Sequence, residues 1–497
     1  MKGYNIYRNA TFLKQVAAPA TSTSDAGLAP STVYSYAAAA VDNAGNQSAM
    51  SATVSTNTPA CPGQPLGAWS RRLGGTDYDL GYAVAVDAAG DAIVAGSFRG
   101  TADFGGGPLS SAGSDDVFLA KYAPGGAHLW SRSFGGSGSD VAKAIAVDAG
   151  GNVAITGRFS ATVDFGGGPL TSAGGDDIFV ALYDPAGNPL WSRRFGGPAG
   201  DQGQGVAFDR SGNVLLTGYF NGSADFGGGA LNAYFGAGDI DSFLVKLSPQ
   251  GAHLWSKNFL NDGQDKGTAV ACDSQGNIVL GGQFTNVLNL GGADLDSPNG
   301  YYDAFIGKFD PNGQHLWSRS FGGTSNDAVQ GLAIDPGDDV LATGFFAGSA
   351  DLGGGSLAAA GSSDVFVVKY SPAGAHLWSR RFGGTGSDMG NAVAADKNGN
   401  VIVTGSFLNT VDFGNGALTA AGTGLTSDAF VVKLSPSATS LWSKRFGDAQ
   451  NDAGAGVAVD AGGVIAATGY FNGTVDLGYG PTTSLGGSDG FLTTIAP

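Results

Sequence analysis

The sequence contains no glutamate; all 42 of its acidic residues are aspartate. Glutamate is a good helix former, whereas aspartate favours turns and caps. Glycine supplies 86 of the 497 residues, so the chain is composed for strands and turns. No Gly-X-Y period occurs, which excludes collagen. Apolar runs such as Val401-Ile402-Val403 recur throughout, which excludes disorder. Charged residues make up only 13%, and the formal net charge is −17. Nucleic acids and anionic membranes call for basic surface, so neither is expected as a partner.

Cysteine is almost absent. Cys61 sits in a Pro/Gly stretch, and Cys272 sits in the apolar pattern TAVACD, where a small hydrophobe belongs. No disulfide between them is expected. Without a CxxC or Cys/His cluster, no structural zinc is expected either. No window approaches the roughly 18 apolar residues of a membrane-spanning helix, and no signal peptide is visible at Met1.

Residues 1–57 form a unit of their own. GYNIYRN alternates as a strand does; Leu28-x-Pro30-x-Thr32-x-Tyr34 and AVDNAGNQSAMS follow. These segments resemble the second half of a fibronectin type III sandwich, with Tyr34 as its corner tyrosine. The resemblance implies an all-β module whose first two strands are missing. Half a sandwich leaves a bare edge and an uncovered face. Met1 is therefore expected to fall inside a domain of a longer chain, with any secretion signal upstream. Residues 58–66 read as a linker.

From residue 67 to 497 the chain is periodic. Its seven tryptophans, Trp69, Trp130, Trp191, Trp255, Trp317, Trp378 and Trp442, are spaced 61, 61, 64, 62, 61 and 64 residues apart. Such regularity marks a repeat architecture. Each repeat carries a Trp-Ser-basic strand, a Gly-rich turn ending in Asp, a short apolar strand, a D-x-x-G turn and a strand of the type NVIVTGSF. A DFGGG-type turn, an Asp-x-Phe strand and a P-x-G turn complete it. Four strands per repeat, arranged radially, make a β-propeller. The last repeat ends one strand short at DGFLTTIAP, and the first Trp strand precedes any complete repeat. Residues 67–73 are therefore expected to complete the last blade beside residues 489–495, closing a seven-bladed ring without bare edges.

The motif WSRRFGG…D…AVAVD..GN..VTGSF…D.F..KY resembles the bacterial SBBP seven-bladed β-propeller repeat family over residues 67–497. The resemblance implies a secreted or cell-surface protein, with fibronectin type III modules as common neighbours, and no defined ligand or enzymatic activity.

Several residues look chemical in isolation. All four histidines, His128, His253, His315 and His376, stand two residues before a Trp. One per repeat, they do not converge, and no imidazole base is expected. The basic residue two after each Trp recurs in every repeat: Arg71, Arg132, Arg193, Lys257, Arg319, Arg380 and Lys444. Aspartate recurs at three places: after the Gly turn (Asp79, Asp140 and so on), at the end of the first strand (Asp87, Asp148 and so on), and at the head of the Asp-x-Phe strand (Asp116, Asp177 and so on). One aspartate series is expected to pair with the basic series, because a half-buried charge needs a partner. The GGG turns lack the GK[ST] of a phosphate loop. Adjacent pairs such as Asp115-Asp116 point to opposite faces of a strand.

Calcium is a candidate cofactor, with Asp294, Asp296 and Asn299 as ligands, because this D-x-D-x-x-N run lies in an irregular loop; otherwise no cofactor is expected. The repeats also depart from one another before the Asp-x-Phe strand, where two neighbouring repeats carry Tyr234-Phe235 and Tyr301-Tyr302 in place of Ser, Ala and Gly. Exposed aromatics suit glycan or protein contacts, so these four are the expected ligand-binding residues. Uniform aspartates argue for structure, whereas a catalytic site breaks symmetry. The sequence thus points to an extracellular, monomeric, non-catalytic adhesion or binding platform for protein or glycan. A propeller enzyme acting on polysaccharide through axial carboxylates or tyrosine, and a calcium-stabilised surface scaffold, are the alternatives.

Overall fold

The computed structural model describes all residues except 26–32, 58–67, 235, 237, 260–261, 298 and 423. The expected linker, Cys61, Phe235 and most of the Leu-x-Pro-x-Thr corner lie outside the described residues. The rest is strands and turns, with no helix among the described residues. Two compact units are present: Met1–Ala68 with Gly125–Ala127, and Trp69–Pro124 with His128–Pro497.

The smaller unit holds one antiparallel sheet in which Thr11–Ala17, Gly3–Arg8, Val33–Val41 and Val54–Asn57 lie side by side. Asp25 gathers Arg8 (3.1 Å) and the Tyr36 hydroxyl (2.8 Å). The Arg8 guanidinium covers the Tyr34 ring at 5.5 Å.

The larger unit is propeller-like. We number its repeats 1 to 7 from the aspartates Asp79, Asp140, Asp201, Asp265, Asp327, Asp388 and Asp452. Repeats 2 to 6 each form a four-stranded antiparallel sheet whose strands pair in chain order. Repeats 1 and 7 join in one eight-stranded sheet, in which Ser70–Gly75 pairs with Asp489–Ile495 and then touches Ala92–Asp103. The N-terminal Trp strand thus completes the last repeat, with Leu73 opposite Gly490 and Arg71 opposite Leu492.

The strand sequences explain the layering. Third strands such as Asp177–Tyr183 and Asp364–Tyr370 are buried at every residue, as strands covered on both faces must be. The fourth strand alternates: Leu129, Leu190, Leu254, Leu316, Leu377 and Leu441 are exposed, and each following Trp turns inward. Seven separate hydrophobic clusters result, each built from facing sheets of adjacent repeats. In the second strand glycine is needed for close approach: a Cβ on Gly157 would overlap the Val141 carbonyl opposite.

Neighbouring repeats are tied by the tryptophans. The Trp130 Nε1–H donates to the Pro185 carbonyl in the next repeat's P-x-G turn (3.2 Å), Trp191 to Pro249 (2.8 Å) and Trp317 to Pro372 (3.1 Å). Trp69 makes the same bond to Pro124 of repeat 1 (2.8 Å), the joint at which the ends of the array meet.

The expected pairing of the basic series with aspartate is corrected by the structure. The residue two after Trp serves the backbone and the rings instead: Arg319 donates to the Gly374 carbonyl (2.6 Å) and lies 5.6 Å from the Tyr370 ring. It sits opposite a turn whose free carbonyls outcompete any distant carboxylate. Five of the seven aspartates that end first strands pair with a third-strand lysine, as in Lys308–Asp273 (2.8 Å) and Lys246–Asp209 (2.9 Å); in repeats 2 and 7 Leu182 and Thr494 take the lysine's place. Those that head third strands pair with the residue three after Trp wherever it is arginine: Arg72–Asp489 (2.8 Å), Arg381–Asp364 (2.5 Å), Arg194–Asp177 and Arg445–Asp428.

Candidate functional site

The first strands of the seven repeats touch in a closed cycle, repeat 7 returning to repeat 1. Small residues permit this: at Gly456 a Cβ would stand only 3.0 Å from the Val84 amide nitrogen. Every first strand also carries a register shift against its second strand, between Gly81 and Ala83 in repeat 1 and between Ala142 and Ala144 in repeat 2, and likewise around the cycle. A β-bulge re-aims the extra residue. The residues so released are Tyr82, Lys143, Gln204, Thr268, Gln330, Asn391 and Ala455, and all seven line one axial cavity of about 190 Å³. At this position the repeats depart from one another, with Tyr, Lys, Gln, Thr, Gln, Asn and Ala in turn.

Lys143 and Tyr82 dominate the cavity. The ammonium stands 3.8 Å from the tyrosine ring centroid. Burial, and secondarily the charge of Arg158, brings the Lys143 pKa down to about 8; among the described residues no carboxylate lies within ion-pair distance of it. Burial, and then Asp115, raise the Tyr82 phenol above its ordinary value, while Ser97 hydrogen-bonds it. Elsewhere the bulge residues are tied to the backbone: Thr268 Oγ1 donates to the Val329 carbonyl (2.6 Å) and Asn391 Nδ2 to the Gly454 carbonyl (2.8 Å).

Cross-strand pairs extend the asymmetry. The residue after each first-series aspartate faces the variable residue of the G-x-F segment. The pairs are Val141 with Arg158, Gln202 with Tyr219 and Lys266 with Gln283 in repeats 2 to 4. Repeats 5 to 7 offer Ala328 with Phe345, Met389 with Ser406 and Ala453 with Tyr470. Cations therefore collect on one arc. The Lys266 ammonium lies 5.2 Å from the Tyr219 ring and 5.6 Å from that of Tyr302, and burial lowers its pKa. Tyr219 donates to Gln202 (2.8 Å) and Tyr302 to Gln264 (2.5 Å). Arg158 pairs with Asp176 and bears electrostatically on Lys143, Tyr82 and Tyr219. Such an arrangement can hold an anion, offer ring faces to a flat or sugar-like partner, and exchange a proton near neutral pH.

The residues expected from the sequence are dispersed. Tyr234 is 58% exposed and Tyr301 48%. Tyr302 is half-buried beside Lys266 and belongs to the axial arc. Asp294, Asp296 and Asn299 are exposed. Asp294 accepts from Asn289 (2.6 Å), Asp296 sits in the hairpin strand Leu295–Ser297, and Asn299 donates to the Gly323 carbonyl (3.2 Å). No cluster of three metal-type side chains occurs among the described residues. The histidines fill spaces beside the GGG turns: Gly106, Gly228, Gly292 and Gly354 each lie against one imidazole. Cys272 is a free thiol whose pKa burial pushes up to about 12. Sequence reasoning looked for divergence in the loops and missed it at the third residue after each first-series aspartate, where Tyr, Lys, Gln, Thr, Gln, Asn and Ala stand in turn.

The family model of the SBBP beta-propeller repeat matches residues 190–227 and 377–406. The chain is 24% identical over 500 residues to an uncharacterized WD repeat-containing protein, L264, of Acanthamoeba polyphaga mimivirus, covering 81% of this chain and 36% of that one. It is 29% identical over 350 residues to the regulatory protein FlaEY of Caulobacter vibrioides, covering 64% and 35%. The chain thus spans about a third of the length of these curated relatives. A 99-residue segment is 36% identical to exoglucanase B of Cellulomonas fimi, covering 19% and 9%. Among solved structures, an ulvan lyase of family PL25 aligns at a TM-score of 0.38 and 11% identity, covering 80% of this chain and 93% of that one. A Xanthomonas campestris gluconolactonase aligns at 0.33 and 10%, covering 88% and 100%.

The expectation of a chain without catalysis is corrected at this point. The solved structures this chain aligns with include enzymes, and no activity passes from them to it. The three aspartate series stay uniform in all seven repeats, but the axial position does not, since Tyr82 and Lys143 stand where the other repeats carry Gln, Thr, Asn and Ala.

Proposed function

We propose that residues 67–497 form a seven-bladed propeller enzyme that acts on an anionic polysaccharide at its axial mouth. The observation that carries this reading is the axial amine of Lys143, which pairs with no carboxylate among the described residues of a protein of net charge −17. The first strands of seven repeats around one cavity, and the closing strand Ser70–Gly75, support the blade count. In this reading Lys266 and Arg158 attract the carboxylate or sulfate groups of the polymer, Tyr219 and Tyr302 offer faces to its sugar rings, and Lys143 takes up or returns a proton. The local likeness to an exoglucanase supports a carbohydrate ligand. Residues 1–57 act as part of a fibronectin type III module that spaces the propeller outside the cell.

The test is a panel of neutral, carboxylated and sulfated polysaccharides incubated with the protein and with Lys143→Met, followed by titration calorimetry and by chromatography of the products. Binding and cleavage of an acidic member, lost in the variant, is the expected result. Equal behaviour of both proteins on every polymer overturns the reading.

A further inference from the structure

None of the chain's 42 aspartates lines the axial cavity. Its wall is built of small and apolar residues and of the bulge side chains, and Lys143 is its charged member. A cavity that carries one positive charge, in a chain of net charge −17, selects for a negative ligand.

The amine differs from the buried lysines of the third strands. Lys121, Lys246, Lys308, Lys369 and Lys433 each hold an aspartate oxygen within 3.1 Å. Such a pair keeps an amine charged, and a charged amine has no lone pair to offer. Among the described residues the Lys143 nitrogen has no hydrogen bond and no carboxylate; it has the Tyr82 ring face at 3.8 Å. Arg158, a second cation, bears on it electrostatically. Desolvation and a neighbouring cation are the two devices that turn a lysine into a nucleophile.

The wall also holds unused polar groups. Thr268 and Asn391 bond the backbone. Gln204 and Gln330 line the same cavity, and their side-chain amides have no hydrogen-bond partner among the described residues. A free amide N–H in a cavity is available to a ligand oxygen.

We infer that Lys143 captures carbonyl groups, condensing with the aldehyde or ketone of a small carboxylate-bearing molecule held in the axial cavity. The nitrogen lone pair attacks the carbonyl carbon and forms the C–N bond. The carbonyl π pair moves to oxygen, which takes a proton from the nitrogen. The resulting carbinolamine loses its hydroxyl group and the remaining N–H proton as water, leaving an imine. Amine and carbonyl become imine and water, with no oxidant or reductant. Gln204 and Gln330 donate to the ligand's carboxylate. This goes beyond the polysaccharide reading: it rests on the same cavity but not on cleavage of a polymer.

The full chain is incubated with sodium cyanoborohydride, which reduces an imine to a stable secondary amine, and with one of three probes. Pyruvate is a free 2-oxo acid, glucuronate is a reducing sugar acid, and acetone is a ketone without the carboxylate. Lys2 and Lys397, both exposed, serve as internal controls. Peptide mass spectrometry should find Lys143 modified by at least one of the two acids about tenfold faster, or more, than either control. Labelling by pyruvate assigns the cavity to a 2-oxo acid, and labelling by glucuronate to the reducing end of a sugar acid. Acetone should label Lys143 no faster than the controls. Labelling of Lys143 by both acids at the rate of Lys2 and Lys397, or equally fast labelling by acetone, overturns the inference. Cleavage of an acidic polymer without an adduct overturns this inference alone, and an adduct without cleavage overturns the polysaccharide reading alone.

Discussion

The Lys143 ammonium stands 3.8 Å from the centroid of the Tyr82 ring, the first strands of repeats 1 and 2 each giving up one bulged residue to make the contact. The ring face stabilises the cation, while burial works against it and holds the amine near a pKa of about 8. Activity on an acidic polysaccharide should therefore rise with pH as the amine loses its proton, with a midpoint near 8. Lys143→Met should lower the rate by about a hundredfold or more. Lys143→Arg, permanently charged, should keep binding but lose the rise. Initial rates across the pH range check all three.

Lys308 and Asp273 form the most deeply buried ion pair of the described residues, each side chain 1% exposed. Removing one partner strands the other charge. Lys308→Met should destabilise the protein by about 3–5 kcal/mol, and Asp273→Asn added to it should recover part of that loss. Denaturant unfolding of the two variants provides the measurement.

The first-series aspartates set a pH dependence of stability. Burial raises Asp79, Asp140, Asp201 and Asp388 to about 6 and Asp327 and Asp452 to about 7, although amide hydrogen bonds oppose it. Their ordinary value is 3.8. The folded protein thus holds protons that the unfolded chain releases. The stabilisation is complete below the unfolded value and is lost as pH rises through 6 to 7. Tm by calorimetry should be higher near pH 5 than near pH 7.5, with Asp388→Asn flattening the slope by about one group's share. A Tm that climbs over that interval would contradict the assignment.

Gly196 has φ of +133° and leaves no room for a side chain, since a Cβ would lie 2.6 Å from Asp201 Oδ2. Gly196→Ala should destabilise by about 1–3 kcal/mol through strain and displaced carboxylates. Thermal unfolding tests it, with Gly200→Ala, which meets nothing within 4 Å, as the control.

Trp191→Phe should cost about 1 kcal/mol, because the ring still packs and only the Nε1–H bond to the Pro249 carbonyl is lost. Trp191→Ala should cost about 3–5 kcal/mol by opening a cavity. Equal losses in chemical denaturation would deny the hydrogen-bonded joint its separate role.

Much of this architecture was legible in one dimension. Recurrence of Trp, of the glycine turns and of three aspartates dictated a repeated four-stranded sheet, because alternation and turn chemistry act within a few residues. The pairing of Ser70–Gly75 with Asp489–Ile495 followed from a missing strand at one end and a spare strand at the other. The partner of each charge did not follow. Which aspartate meets Lys308, or whether Arg319 prefers a carbonyl, depends on distances across sheets and between repeats that spacing does not encode. The axial site was hidden for the same reason. In the sequence Tyr82 and Lys143 are single unremarked residues 61 positions apart. A β-bulge turns each out of its strand, and closure of the ring brings them together at the axis.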